Sequence, residues 1–296
     1  MGDPNEMATT IKPVLSGFSL RMSLMAALAI AISGRAIVAK AQDLSQAGAS
    51  PLAVTGISQP GNFPIKITKS GSYRLNSNLT VKKSGVDAID VNVSNVTIEL
   101  SGFTITGGVV AINALAAGAA NVTVTNGSIT GSGAGVQLSD GAVVRNVRVS
   151  NLTGGSGFFN AITCGNSCTL TGNTVYTVNA SNPNAPPAAI VAGSNSLVLN
   201  NTVTGTVGGS GIAIGVGGNS VVSGNTSSNN ANSGILIAGA GVIVSHNTAD
   251  NNTTGLNFIS VAGAYEDNVL LNNGTDVTGG TSLAGGNTNL CTAGVC

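Results

Sequence analysis

The chain of 296 residues carries 11 Lys and Arg against 11 Asp and Glu, a formal net charge of zero, and only 7% of its residues are charged. Phosphate binding needs clustered cations, so this balance argues against nucleic acid as a partner. Glycine at 42 residues, aromatics at 3% and a mean hydropathy of +0.35 describe tight turns and small side chains, which favour thin stacked coils over a bulky core.

At the N-terminus, Arg21 precedes an apolar stretch from Met22 to Ser33, and a small-residue site follows at Ala39-Lys40-Ala41. Together they read as a secretory signal peptide cleaved before Gln42, which makes the expected protein extracellular, secreted or held at the cell surface. The apolar run is too short to span a bilayer, which needs about 20 residues, so membrane contact is expected only through an uncleaved signal segment. Removing residues 1–41 leaves 9 acidic and 7 basic residues, a net of −2. Residues 42–83 are expected to form an N-terminal segment and cap.

From Ser84 to Thr275 the chain repeats. Six asparagines, Asn146, Asn173, Asn201, Asn225, Asn247 and Asn268, recur at spacings of 27, 28, 24, 22 and 21 residues. Upstream of each lies a segment reading small, apolar, any, apolar, such as Ala161-Ile162-Thr163-Cys164, Gly211-Ile212-Ala213-Ile214 and Gly234-Ile235-Leu236-Ile237. The second position of each is expected to point inward. Three residues before each asparagine stands a second apolar column, Val143, Leu170, Val198, Val222, Val244 and Tyr265; two residues after stands a third, Val175, Val203, Ser227, Ala249 and Leu270. Arg148 breaks this third column, and Val147 with Val149 suggests a one-residue shift in that coil. Three short strands per repeat and no helical periodicity make each repeat one coil of a parallel β-helix, an all-β solenoid of about 8–9 coils. Asparagine suits the turn between strands, because it tolerates left-handed backbone and its amide bonds to turn backbone and to the asparagines above and below.

With rungs such as Gly193–Val203 and Gly218–Thr226, the stretch from about Ser84 to Asn273 resembles the right-handed parallel β-helix of the pectate-lyase-like superfamily. Gly71–Thr80, Ala88–Val91 and Asn95–Ile105 resemble the opening coils of its secreted bacterial members. The resemblance implies the handedness. It does not imply one activity, since lyases, hydrolases, epimerases and adhesins share this architecture.

The four cysteines fall in two close pairs, Cys164 with Cys168 and Cys291 with Cys296. An even count behind an export signal points to disulfides, and of three connectivities the two local pairs are expected. Neither pair has a zinc-knuckle spacing and His246 is the single histidine, so no metal site is expected. Residues 276–296 read as a fading last coil closed by the second cysteine pair.

Carboxylates able to cleave acidic polysaccharide must converge, as an acid and base or as a calcium cluster beside a cation. Stacking the coils puts His246 beneath Asp267, with Glu266 beside it, Asp250 nearby and Tyr265 turned inward. These are the candidate catalytic residues, suited to proton abstraction from a uronic acid. Arg145 and Arg148 sit five coils away, about 24 Å at about 4.8 Å per coil. A calcium mechanism there lacks its cation, and calcium is expected only if the protein is a lyase; no other cofactor is expected. A second charged group, Asp87, Asp90 and Glu99 with Lys82 and Lys83, reads as surface and end capping.

Outward positions are repeatedly small and polar, and Thr174, Thr202, Thr226 and Thr248 follow successive asparagines as a threonine rank. With no Trp and three Tyr, aromatic platforms for sugars are scarce. The expected function is therefore a non-catalytic extracellular scaffold that contacts polysaccharide or assembles with itself. A polysaccharide lyase or epimerase is the alternative, and an ice-binding surface a weaker one.

Overall fold

The structure, a computed structural model, describes residues 53–154, 160–180, 188–208, 211–259, 262–282 and 288–296. The expected signal segment at 1–41 lies outside them. The described residues form a parallel β-solenoid of three strips. The first strip is a ten-stranded sheet running from Ile65–Ile67 to Thr275–Thr278. The second runs from Val54–Ile57 to Thr281–Ser282, and the third from Leu79–Val81 to Leu290–Cys291. These two merge into one sheet, because Val122–Thr130 and Val143–Gly154 run through the bend between them without a break. Ten strands in the first strip make nine steps, within the expected eight to nine coils.

A strand of three to five residues buries nothing alone, so each inward side chain finds its cover one rung above and below. On the first strip Ile89, Ile112, Val136, Ile162, Ile190, Ile214, Ile235 and Leu256 stand in register and are wholly buried. Each such side chain contributes about 1.5–3 kcal/mol of transfer free energy. Small residues beside this column let the backbones approach: a Cβ on Gly135 would collide with the Ala161 carbonyl.

Each bend carries a polar ladder in place of apolar packing. At the bend from second to third strip, Asn173, Asn201, Asn225, Asn247 and Asn268 are buried, and each donates Nδ2 to the Oδ1 of the next at 2.9–3.0 Å. Asn268 continues the file to Asn289, a member the spacing pattern did not include. At the bend from third to first strip, a second ladder joins Asn230, Asn252 and Asn273. At the remaining bend Ser196 and Ser220 accept from Cys168 N and Ser196 N.

Four expectations need correction. Asn146 is not in the buried file. It is exposed, has a φ of 53° and donates to Asn126 Oδ1. Val147 takes the ladder place, its N–H donating to Asn173 Oδ1, and Val144 instead of Val143 pairs with Leu170. The strand there passes through the bend unbroken, so the coil meets the ladder with backbone alone. Second, Ala213 faces inward, fully buried, and Ile214 instead of Ile212 pairs with Ile190 and Ile235, because this coil is set two residues later than its apolar pattern suggests. Third, parallel pairing begins before Ser84: Val54–Ile57 pairs with Gly71–Leu75, and Ile65–Ile67 with Ile89–Val91, so residues 54–83 are already coil. Fourth, the last coil does not merely fade. Leu290–Cys291 turns back on Gly294–Val295 as an antiparallel pair, with Cys291 bonded to Cys296, and Asp276 accepts from Thr292 N and Oγ1. Cys164 is bonded to Cys168, and no cysteine is free.

Candidate functional site

The residues just before Val147, Asn173, Asn201, Asn225, Asn247 and Asn268 have left-handed backbone: Asn146, Gly172, Asn200, Gly224, His246 and Asp267. Asparagine and glycine bear that conformation at low cost, and a Cβ on Gly224 would strike the Asn200 side chain. His246 and Asp267 therefore stack as turn residues, with Nε2 and Oδ2 3.6 Å apart and side chains 65% and 39% exposed. The candidate group does not converge beyond that pair. Glu266 leaves the strand half-buried, its carbonyl accepting from His246 N and Asn268 Nδ2. Asp250 lies on the third strip and accepts from Asn272 Nδ2. The Tyr265 ring packs 5.8 Å from Phe258 and its hydroxyl donates to Cys296 O, so it offers no proton outward. Among the described residues no group of three or more His, Cys, Asp or Glu is placed to hold a metal ion.

The charged group of the first coils is held by its own contacts. Asp87 accepts from Val110 N and Asn113 Nδ2. Burial, then the neighbouring Asp87 carboxylate, pushes the Asp90 carboxyl above its ordinary value, against the pull of Lys66. Glu99 goes the other way. Burial is the strongest single influence and pushes it up, yet hydrogen bonds from Thr125, Ser101 and Asn126 with the charge of Arg74 bring it below the usual range. Glu99 thus serves as a turn cap.

The outward face of the third strip is more orderly. Thr174, Thr202, Thr226 and Thr248 are direct register partners, extended upstream by Arg148, Ser128 and Thr104. Two residues along the strand runs a second rank that sequence reasoning missed: Thr80, Thr106, Thr130, Ser150, Tyr176, Thr204, Ser228 and Asp250. The signal was present as Thr104-Ile-Thr106, Ser128-Ile-Thr130 and Thr202-Val-Thr204, each with a buried middle residue. The ranks form a grid of about 4.8 Å along the axis and about 6.6 Å across it. Neighbouring hydroxyls bond along a rank, Ser150 to Thr130 and Ser228 to Thr204, both at 3.2 Å. Arg148 lies over the Tyr176 ring, 5.0 Å from its centre. The hydrogen bond with Ser150 is the strongest influence on the Tyr176 phenol and, helped by the charge and hydrogen bond of Arg148, holds it below its ordinary value against desolvation, which outweighs the Arg148 charge alone.

No curated protein matches the sequence. Among solved structures, the A-module of the mannuronan C-5 epimerase AlgE6 from Azotobacter vinelandii aligns over 75% of this chain and 65% of its own, so the chain spans less than two thirds of that module. Identity is 13% and the TM-score 0.39, a likeness too distant to carry chemistry across. The family model described as right-handed beta helix region matches residues 112–291, more than half of the chain, and the chain belongs to that family.

Proposed function

We propose that this protein is a secreted or cell-surface solenoid that binds polysaccharide along the outer face of its third strip and does not cleave it. The observation that carries the reading is the pair of hydroxyl ranks. Hydroxyls held on a rigid face at fixed spacing meet the hydroxyls of an extended glycan without an ordering cost on the protein side. Arg148 and Tyr176 interrupt the ranks midway with a cation and a ring, the groups that grip acidic substituents and sugar faces.

The test removes hydroxyls and keeps shape. The double variant Thr202→Val/Thr226→Val retains β-branched residues suited to strands, so its melting temperature should be unchanged. Its retention on immobilised polysaccharide should fall about tenfold, from two lost hydrogen bonds of about 0.5–1.5 kcal/mol each. Equal retention of variant and parent would end the proposal.

The 3.6 Å contact of His246 with Asp267 favours one second reading, a lyase or epimerase with His246 as base. Asparagine at position 246 keeps left-handed tolerance, so His246→Asn should leave both stability and glycan binding unaltered. Formation of unsaturated uronate by the parent, absent in this variant, would establish the enzyme.

A further inference from the structure

We infer that the outer face of the second strip is where two copies of this chain meet, with their solenoid axes antiparallel. One outward rank runs in register along that face and changes character on the way. Its early members are Ser72, Thr97 and Thr123, the residues expected of a strand in water. The later coils put Val143, Thr169, Leu197, Val221, Ile243 and Ala264 in the same place. Leu197 and Ile243 are 42% and 44% exposed, so the face carries a continuous apolar run where the first coils carry hydroxyls. Single exposed apolar side chains need no explanation, but an aligned run of them marks a contact surface.

The neighbouring rank indicates what covers it. Two residues along each strand stand Arg145, Thr171, Leu199, Ser223, Ser245 and Glu266, again in register. Arg145 opens this run and Glu266 closes it, five rungs or about 24 Å apart and out of each other's reach. Among the described residues neither has an ionic partner. A second copy, turned over about a twofold axis along the strand direction, supplies one to each. Every rank then faces itself in reverse order, so Arg145 meets the partner's Glu266 at both ends, Leu197 lies against the partner's Val221, and Ile243 against the partner's Thr169. A twofold axis along the solenoid instead would set the charged rank against the apolar one and leave both charges unmatched. With the antiparallel pairing, eight rungs overlap, from Thr123 to Thr281, about 34 Å of a face two ranks wide, so each copy loses about 400 Å². That is the size of a weak, reversible dimer. The third-strip ranks lie outside this contact, and the inference does not depend on the polysaccharide reading.

Sedimentation velocity of the full chain between about 1 µM and about 1 mM, the range in which so small an interface associates, tests this. Arg145→Glu, Glu266→Arg, the double reversal and Leu197→Asp are measured alongside. Arg145 and Leu197 are exposed and Glu266 half-buried, so melting temperatures close to the parent's are expected of all four variants. The parent should dimerise. Each single reversal sets like charges opposite one another at both ends of the contact and should weaken association at least about tenfold. The double reversal should restore it, and so should an equimolar mixture of the two single variants, in which opposite charges meet again at both ends. Leu197→Asp puts two carboxylates beside the twofold axis and should stay monomeric. A parent that is monomeric at every concentration, single reversals that associate as the parent does, or a mixture no tighter than its components would overturn the interface.

Discussion

Replacing Asn225 by Ala should lower stability by about 3 kcal/mol, whereas Asn146→Gly should change it by no more than about 0.5 kcal/mol. Asn225 sits 1% exposed in the file of amides. Its Oδ1 accepts from both Asn201 N and Asn201 Nδ2, and its Nδ2 donates to Val198 O and Asn247 Oδ1. Truncation leaves the Asn201 N–H without that acceptor in a dry bend, and each orphaned buried group costs about 1–3 kcal/mol. Asn146 belongs to the exposed left-handed column, where glycine is equally at ease. Urea midpoints for the two variants read the difference directly. Equal losses would return Asn146 to the ladder.

Leu170→Ala should cost about 2–5 kcal/mol, against under about 1 kcal/mol for Leu197→Ala. The two leucines lie on adjacent rungs of the second strip and differ only in the face they present. Leu170 is wholly buried between Val144 and Val198, so its loss opens a cavity that rigid rungs above and below cannot fill. Leu197 pairs with Thr169 and Val221 on the outside and is 42% exposed. Similar midpoints for the two would mean that the strip is read with the wrong face inward.

The period of the asparagines is enough to recover the coil, because each buried amide of the file bonds to the amide one rung away. The same logic explains the failures. Asn146 matches the spacing but stands one place early, since the ladder can end on a backbone N–H, and Val147 supplies one without any polar signature. Ile212 and Ile214 are both apolar, so a two-residue slip between them leaves no trace in the pattern until Ile190 and Ile235 fix it. The second ladder at Asn230, Asn252 and Asn273 was hidden because only three coils carry it.

Stacking the coils brings His246 and Asp267 together, as their 3.6 Å contact shows. Stacking gives the rung but not the direction in which a side chain is already committed. Asp250 is turned to Asn272, and the Tyr265 hydroxyl to Cys296. The threonine rank was legible for a different reason, since each member follows a ladder asparagine by one residue. Its companion rank required knowing that Thr80, Thr106 and Thr130 share a register with Thr204 across coils of unequal length.

Mapping amide chemical shifts during titration of the isotope-labelled protein with polysaccharide would locate the working surface most directly. If the hydroxyl ranks bind the glycan, the shifts should follow one line along the third strip, through Thr130, Thr174, Thr202, Thr204 and Thr226. Shifts gathered instead around His246, Glu266 and Asp267, with the ranks silent, would contradict that surface and move the chemistry to the other bend.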